Sequence, residues 1–318
     1  MTRTAVLTYP HSHNLGDPIQ QIAAELWING ANVKTLDRET LHQYKGSKVK
    51  LLMNGWFMEH PENWPPSDKI QPFFISFHLN PTAEKQMLTT EGVAYLKKHE
   101  PIGCRDLHTQ MRLERHGIST YYSACLTLTL NRKHFVSSGT KRSGILVISP
   151  FERLLPNEKD TGLSKSTLMN KFINAIKRPL KQKNYNQAKA HLDTYLSKQK
   201  EKVMWMSQLM DATENTEEER KNAAEQQLVA IAKASLLITS RIHSALPAVA
   251  FGTPVLFLSD GLEHNNQKSR LEGLEMFFPM VKAKDLKNWI GKKVLSSKQH
   301  YSFLKRFEVE RENFLKIP

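Results

Sequence analysis

The chain has 318 residues, 40% of them apolar and 24% charged, which excludes a disordered chain and allows two domains of ordinary size. Its only cysteines, Cys104 and Cys125, lack a CxxC or Cys/His spacing, so a disulfide scaffold and a thiolate metal site are excluded and buried, reduced thiols are expected. A formal net charge of +14 points to anionic partners.

The opening MTRTAVLTYP reads as a first strand over residues 6–9. Its apolar part is too short for a signal peptide and no later run approaches a membrane span, so a cytoplasmic protein is expected. Asn14-Leu15-Gly16-Asp17-Pro18 reads as a turn, with Asp17 as N-cap and Pro18 opening a helix over 19–29 that Gly30 closes. Strands are predicted at 49–53, 73–77 and 102–104. A helix over 107–116, stopped by Gly117, and a strand over 121–130 complete the set. Asn14 and Asp17, Asn54, His78, and Arg105 with Asp106 stand at strand ends, where together they form one polar rim.

The charged stretch 131–143 reads as a linker, and GILVIS at 144–149 restarts a sheet. This predicts two domains, 1–135 and 140–318. The 160–225 region is polar and helical in tendency, a helix is expected over 228–233, and 284–318 offers amphipathic helices. Between Lys171 and Lys202, nine Lys or Arg stand against Asp193 and Glu201. That is either a solvated helical face or a surface that attracts an anionic membrane, as a peripheral contact, or a polyanionic substrate. No nucleic-acid-binding signature accompanies it, and nucleic acid is not expected as a partner.

Residues 238–260, ITSRIHSALPAVAFGTPVLFLSD, read as strand, loop, helix and strand, the βαβ unit of a parallel sheet. Ligands of such sheets bind beyond the strand ends, where Ser240, Arg241, His243 and Ser244 fall. In an extended loop Arg241 and His243 would face one cleft while Ile242 packs on the sheet. Ser244 is the expected N-cap, with Pro247 in the first turn and Gly252 ending the helix. A guanidinium beside a helix N-terminus suits a small, highly charged anion, and an imidazole can exchange a proton near neutral pH. The alternative is that Arg241 pairs with a carboxylate and His243 caps a neighbouring carbonyl.

NLGDPIQQIAA after residue 13, NGWF at 54–57, PIGCRD at 101–106, SACLTLTL at 123–130 and SRIHSALPAVAFGTPV at 240–255 together resemble the polysaccharide pyruvyl transferases. The resemblance spans most of the chain in order, with a weak stretch at 155–220. It implies two Rossmann-like domains facing across a cleft, similar to the GT-B glycosyltransferase fold, in the α/β class with parallel sheets flanked by helices. It further implies transfer of the enolpyruvyl part of phosphoenolpyruvate to sugar hydroxyls of a glycan, as a ketal, with phosphate released. Phosphoenolpyruvate is then a donor substrate, and no cofactor or metal is expected. The family's SRxH arginine and histidine match Arg241 and His243, and the resemblance puts both at the donor.

The second domain is accordingly the donor side, with Arg105 and Arg270 as further donor contacts, and His243 as general acid or as a stabiliser of departing phosphate. Asn14, Gly16, Asn54, Trp56 and His78 are acceptor candidates on the first domain. Asp17 is a helix cap, an acceptor-side base, or both; Asp106 invites the same choice. Arg105 either binds substrate or forms a structural ion pair, Trp56 either stacks on a pyranose or belongs to the core, and Arg270 reaches the donor or its string caps a helix. His11 and His13 lack an evident third metal ligand. The rival activity is a GT-B nucleotide-sugar glycosyltransferase. A non-catalytic glycan- or anion-binding protein is the third reading.

Overall fold

The computed structural model describes residues 3–30, 33–155 and 168–316, with side chains throughout except at 168–177. The first half carries β1 (Arg3–Thr8), α1 (Gly16–Ile28), β2 (Lys34–Asp37), β3 (Val49–Phe57), β4 (Ile70–Leu79), a single-turn α2 (Glu84–Met87), α3 (Thr90–Lys98), β5 (Ile102–Cys104), α4 (Leu107–Glu114) and β6 (Thr120–Tyr122). The six strands form one parallel sheet in the order β2-β1-β3-β4-β5-β6.

The second half carries β7 (Ile145–Ile148), α5 (Leu168–Ser197), β8 (Val203–Met206), α6 (Glu217–Lys233), β9 (Leu236–Thr239), α7 (Ile242–Phe251), β10 (Val255–Leu258), α8 (Asn265–Lys268), β11 (Met280–Val281) and α9 (Tyr301–Lys316). Its five strands form a second parallel sheet, β11-β10-β9-β7-β8. The α/β class with two parallel sheets flanked by helices is therefore the observed architecture. Central strands such as ILVI of β7 and VLFL of β10 are buried at every position, as sheets covered on both faces require.

Several boundaries differ from the sequence expectation, each for a local reason. β3 runs on through Asn54 to Phe57, with a register irregularity between Met53 and Gly55, so Asn54 lies within a strand. α1 begins at Gly16 with Leu15 in the N-cap position, so Asp17 is a first-turn acid and not the cap. Asn29, at φ 49°, takes the left-handed C-cap role expected of Gly30. The predicted strand 121–130 divides into β6 and a 3₁₀ turn over Leu126–Thr129. The 228–233 helix is the end of α6, which starts eleven residues earlier at a capping box formed by Thr216 and Glu219. Of the basic stretch, Arg178, Lys181, Lys183 and Lys189 lie on the solvent face of α5, whose Ala188, Leu192 and Tyr195 pack on the second sheet. Lys198, Lys200 and Lys202 are exposed beyond its end. The side chains of Lys171 and Lys177 lie outside the described residues. No helix among the described residues is long and apolar enough to cross a membrane.

The halves share a core. Ile19, Ile22 and Ala23 of α1 pack with Leu228 of α6, Leu246 and Val249 of α7, and Leu128. The loop after β1 is tied to the segment after β8: the Leu15 N–H donates to the Gln208 carbonyl at 2.8 Å and the Met210 N–H to the His13 carbonyl at 2.9 Å. The His13 ring accepts from the Ala212 N–H at 3.0 Å. Buried Arg220 of α6 donates to the carbonyls of Pro10 and Ser12 at 2.6 and 2.5 Å. The last helix crosses back, placing Phe307 and Phe314 against Val6, Trp27 and Leu52, so residues 301–316 pack on the first half although a sequence division at 140 assigns them to the second.

Candidate active site

Each sheet has one place where the strand order reverses, between β1 and β3 in the first and between β7 and β9 in the second. Crevices at such points are where parallel α/β sheets bind ligands. The fold sets the two crevices against each other. A Cβ on Gly16, at the start of α1, would lie 2.9 Å from His243 Nδ1 and 3.1 Å from His243 Cβ, so only a bare backbone permits this approach. Gly16→Ala is therefore expected to displace the His243 ring and lower turnover by at least about tenfold while the fold persists. Steady-state rates alongside thermal melting would check this.

The cleft there has a volume of about 400 Å³, counting its solvent-open mouth. Asn14, Arg153, Gln208, Ser240, Arg241, His243 and Arg270 line it, with Ile242 and Leu271 among the apolar walls. Arg241 is the N-cap residue of α7 in an extended conformation, and His243 is the second residue of that helix. The helix thus starts earlier than the Ser244 cap expected from sequence. Pro247 sits beyond the first turn and removes an internal helical hydrogen bond. The two side chains reach one cleft from a helix start, not from an extended loop.

Arg241 pairs with Glu152, which follows β7, while its Nε has no hydrogen-bond partner. The carboxylate-pairing alternative is thus observed, together with a position at the cleft. Ser240 lines the cleft but donates its hydroxyl to the Ser149 carbonyl at 2.8 Å. Ser244 is fully buried, donating to Gln208 Oε1 at 2.5 Å and accepting from Gln227, so its hydroxyl is committed inside the protein and does not reach the cleft.

Arg105 is 0% exposed, and its Nε, Nη1 and Nη2 all lack hydrogen-bond partners. Its nearest carboxylate is Asp106, with Oδ2 3.6 Å from Nε. That carboxylate is already occupied: Oδ1 caps α4 by accepting from the Thr109 N–H at 2.9 Å, and Oδ2 is 2.6 Å from His78 Nδ1. Asp106 is therefore the helix cap. The loop after α8 brings Arg270 to the same place. The Leu107 N–H donates to the Glu272 carbonyl at 2.9 Å and the Tyr122 hydroxyl to that of Gly273 at 2.7 Å, docking the loop onto α4 and β6.

The electrostatics bind these groups into one unit. Burial and then the charges of Arg105 and Arg153 push Arg270 down to about 9, and burial pushes Arg241 down to about 10; both remain cationic at neutral pH. His243 is held well below its ordinary value by burial first, then by Arg105, Arg270 and His78. His78 is pushed down to about 3 by burial and Arg105, against the opposing effect of Asp106. Burial would raise Asp106, but His78, Arg105 and the Thr109 N–H outweigh it and hold the carboxyl low. The cleft therefore carries a cationic field from Arg241 and Arg270, reinforced by Arg105 and Arg153, against the carboxylate of Glu152 paired to Arg241.

Both histidines are neutral in the folded protein but titrate near pH 6.5 when unfolded. Below that pH the unfolded chain binds protons that the folded one refuses. Stability is thus intact above about pH 6.5 and declines as pH falls toward the folded values, by on the order of 2 kcal/mol for His78 by pH 5, with a loss of the same sign from His243. Denaturant titrations at pH 7 and pH 5 would measure the loss. A flat profile would contradict it.

The acceptor candidates do not all reach the surface. Asn54 and His78 are 2% and 0% exposed, and neither lines the cleft. The Arg38 guanidinium lies 4.6 Å from the Trp56 ring centroid and covers it. Asp17 accepts from Ser12 Oγ at 2.5 Å and from Gln20 Nε2 at 3.1 Å. Its charge acts on Arg270, which links it to the cleft. Asn14 lines the cleft and accepts the Gly16 N–H at 3.1 Å. Arg153, Gln208 and Glu152 were missed from sequence. They follow β7 and β8, which lie in the order β9-β7-β8, and only that sheet order reveals the adjacency.

The family model for polysaccharide pyruvyl transferase matches residues 84–261, more than half of the chain. The chain belongs to that family. The matched span of this pyruvyl transferase family member includes Arg105, Arg241 and His243, whereas Asn14, Gly16, Asp17 and Arg270 fall outside it. No curated protein matches the chain. Among solved structures, an uncharacterized protein from Klebsiella pneumoniae subsp. pneumoniae is similar, with 10% identity, a TM-score of 0.48, and coverage of 88% of this chain and 93% of that one. An alpha,alpha-trehalose 6-phosphate synthase from Burkholderia multivorans has 10% identity and a TM-score of 0.41, covering 99% of this chain and 96% of that one. The glycosyltransferase SnogD from Streptomyces nogalater also has 10% identity, with a TM-score of 0.31 and the same coverages.

Proposed function

We propose that this family member transfers the enolpyruvyl carbons of phosphoenolpyruvate to sugar hydroxyls of a glycan or glycan precursor and releases phosphate. The observation that carries the reading is the cationic cleft around His243, lined by Arg241 and Arg270, with the fully buried Arg105 guanidinium, which has no hydrogen-bond partner, acting on His243 and Arg270 through its charge. Burying a cation is costly unless an anion joins it, and phosphoenolpyruvate brings a carboxylate and a phosphate. In this reading Arg241 and Arg270 grip the donor from the second half and Arg105 from the first.

His243 is the general acid. Its proton goes to the methylene carbon, C2 becomes oxocarbenium-like, and a sugar hydroxyl oxygen bonds to C2 as its own proton leaves to a base. Asp17 is the carboxylate assigned to that base, through the oxygens now shared with Ser12 and Gln20. A second hydroxyl then bonds to C2 as the C–O bond to phosphate breaks and the hydroxyl proton passes to the now neutral His243, closing the ketal and releasing phosphate. Burial is the larger cause of the His243 depression; donor binding offsets the smaller contributions of Arg105 and Arg270 and so shifts the imidazole toward its protonated form.

Incubating the protein with phosphoenolpyruvate and a panel of glycans tests the assignment. Inorganic phosphate release and a pyruvyl mass increment on a sugar are expected. Release of a nucleoside diphosphate from nucleotide sugars, with phosphoenolpyruvate left intact, would instead establish the glycosyltransferase alternative.

A further inference from the structure

A second cleft opens beyond the ends of β7 and β8, about 750 Å³ including its open mouth. Phe151, Tyr185, Trp205 and Met206 form its apolar side, and Glu152 and Ser207 its polar side. We propose that this cleft is the acceptor subsite, where one pyranose ring stacks on Trp205 with its hydroxyls toward Glu152 and the donor. The proposal rests on the pyruvyl-transfer reading for the identity of the donor next door.

Continuity with the cationic cleft comes first. Glu152 and Ser207 line the second cleft, and their immediate neighbours Arg153 and Gln208 line the first. Ser240 of the first donates to the carbonyl of Ser149 in the second at 2.8 Å. The Glu152 carboxylate itself, wall of one cleft, is bonded to Arg241, wall of the other. A sugar hydroxyl at Glu152 therefore stands one side chain from the guanidinium assigned to the donor.

The chemistry of the lining comes second. A pyranose presents a face of C–H groups ringed by hydroxyls, and it is matched by an aromatic surface with polar groups at its edge. Trp205 is 51% exposed on the edge strand β8, although burial is the usual fate of so large an apolar ring. Phe151 and Tyr185 meet edge to face at 90°, bracing the wall beside it. The alternative sugar contacts Asn54 and His78 are covered by protein.

Saturation-transfer NMR on the full chain, without phosphoenolpyruvate, provides the test, with the methyl glycosides of glucose, galactose and mannose as probes. Ring protons of at least one glycoside should receive saturation from the wild-type protein. The effect should fall about fivefold or more in Trp205→Ala and recover in Trp205→Phe. Thermal melting should show both variants folded, because the ring is half exposed. Absence of transfer to every glycoside, or transfer unchanged in Trp205→Ala, overturns the subsite. Displacement of the sugar by uridine diphosphate overturns it too, by making the cleft a nucleobase pocket. Glycoside binding at Trp205 with no phosphate released from phosphoenolpyruvate would sink the donor reading and leave the subsite standing; phosphate release indifferent to Trp205 would do the reverse.

Discussion

His243→Ala should lower turnover with phosphoenolpyruvate by about 10²–10⁴-fold, the usual contribution of a positioned general acid. The fold should survive, because Nε2 of His243 has no hydrogen-bond partner to lose. The pH dependence carries more information than the loss itself. In the free protein the imidazole is held well below its ordinary value by burial and by Arg105 and Arg270. As an acid it must be protonated, so kcat/KM should rise as pH falls toward that depressed value. In the donor complex the arginines are neutralised, and the descending limb of kcat should lie at higher pH than that of kcat/KM. The wild-type limb should vanish in His243→Gln. A kcat that stays flat with pH would instead assign the ring to hydrogen bonding the departing phosphate in its neutral form.

Arg105→Met should separate stability from function. The guanidinium is fully buried without hydrogen bonds, and its one close carboxylate among the described residues, Asp106, already serves His78 and Thr109. Methionine keeps the stem and removes the charge. Replacing a poorly compensated buried ion by an apolar side chain is often stabilising, here by about 1–3 kcal/mol, which raises Tm by several degrees. The donor loses a desolvated charge partner worth roughly 2–5 kcal/mol, so its KM should rise at least about thirtyfold. Calorimetry and donor titration measure the two effects independently. A variant that melts lower and keeps its donor KM would identify Arg105 as a structural cation.

Much of this site was legible in the sequence because strand ends declare themselves. The apolar runs before Thr239 and Arg105 stop abruptly at polar residues, and parallel sheets gather such ends on one side. Local geometry was less legible. Ser244 and Asp17 look like N-caps, yet α7 and α1 begin earlier, at Ile242 and Gly16, because packing between the halves sets the helix starts. His78 and Asn54 carry polar groups at apparent strand ends, but β3 and β4 continue past the predicted limits and bury them. Glu152 and Gln208 gave no signal, since neither neighbours Arg241 or His243 in sequence and the order β9-β7-β8 alone makes them adjacent. Trp205 had no apolar periodicity to distinguish it from core.

A crystal of the protein soaked with phosphoenolpyruvate addresses the central claim most directly. The account places the donor where the crossover points of the two sheets meet, its carboxylate and phosphate on Arg105, Arg241 and Arg270, and its methylene carbon facing His243. Donor density elsewhere on the molecule, with those arginines unchanged, would contradict it.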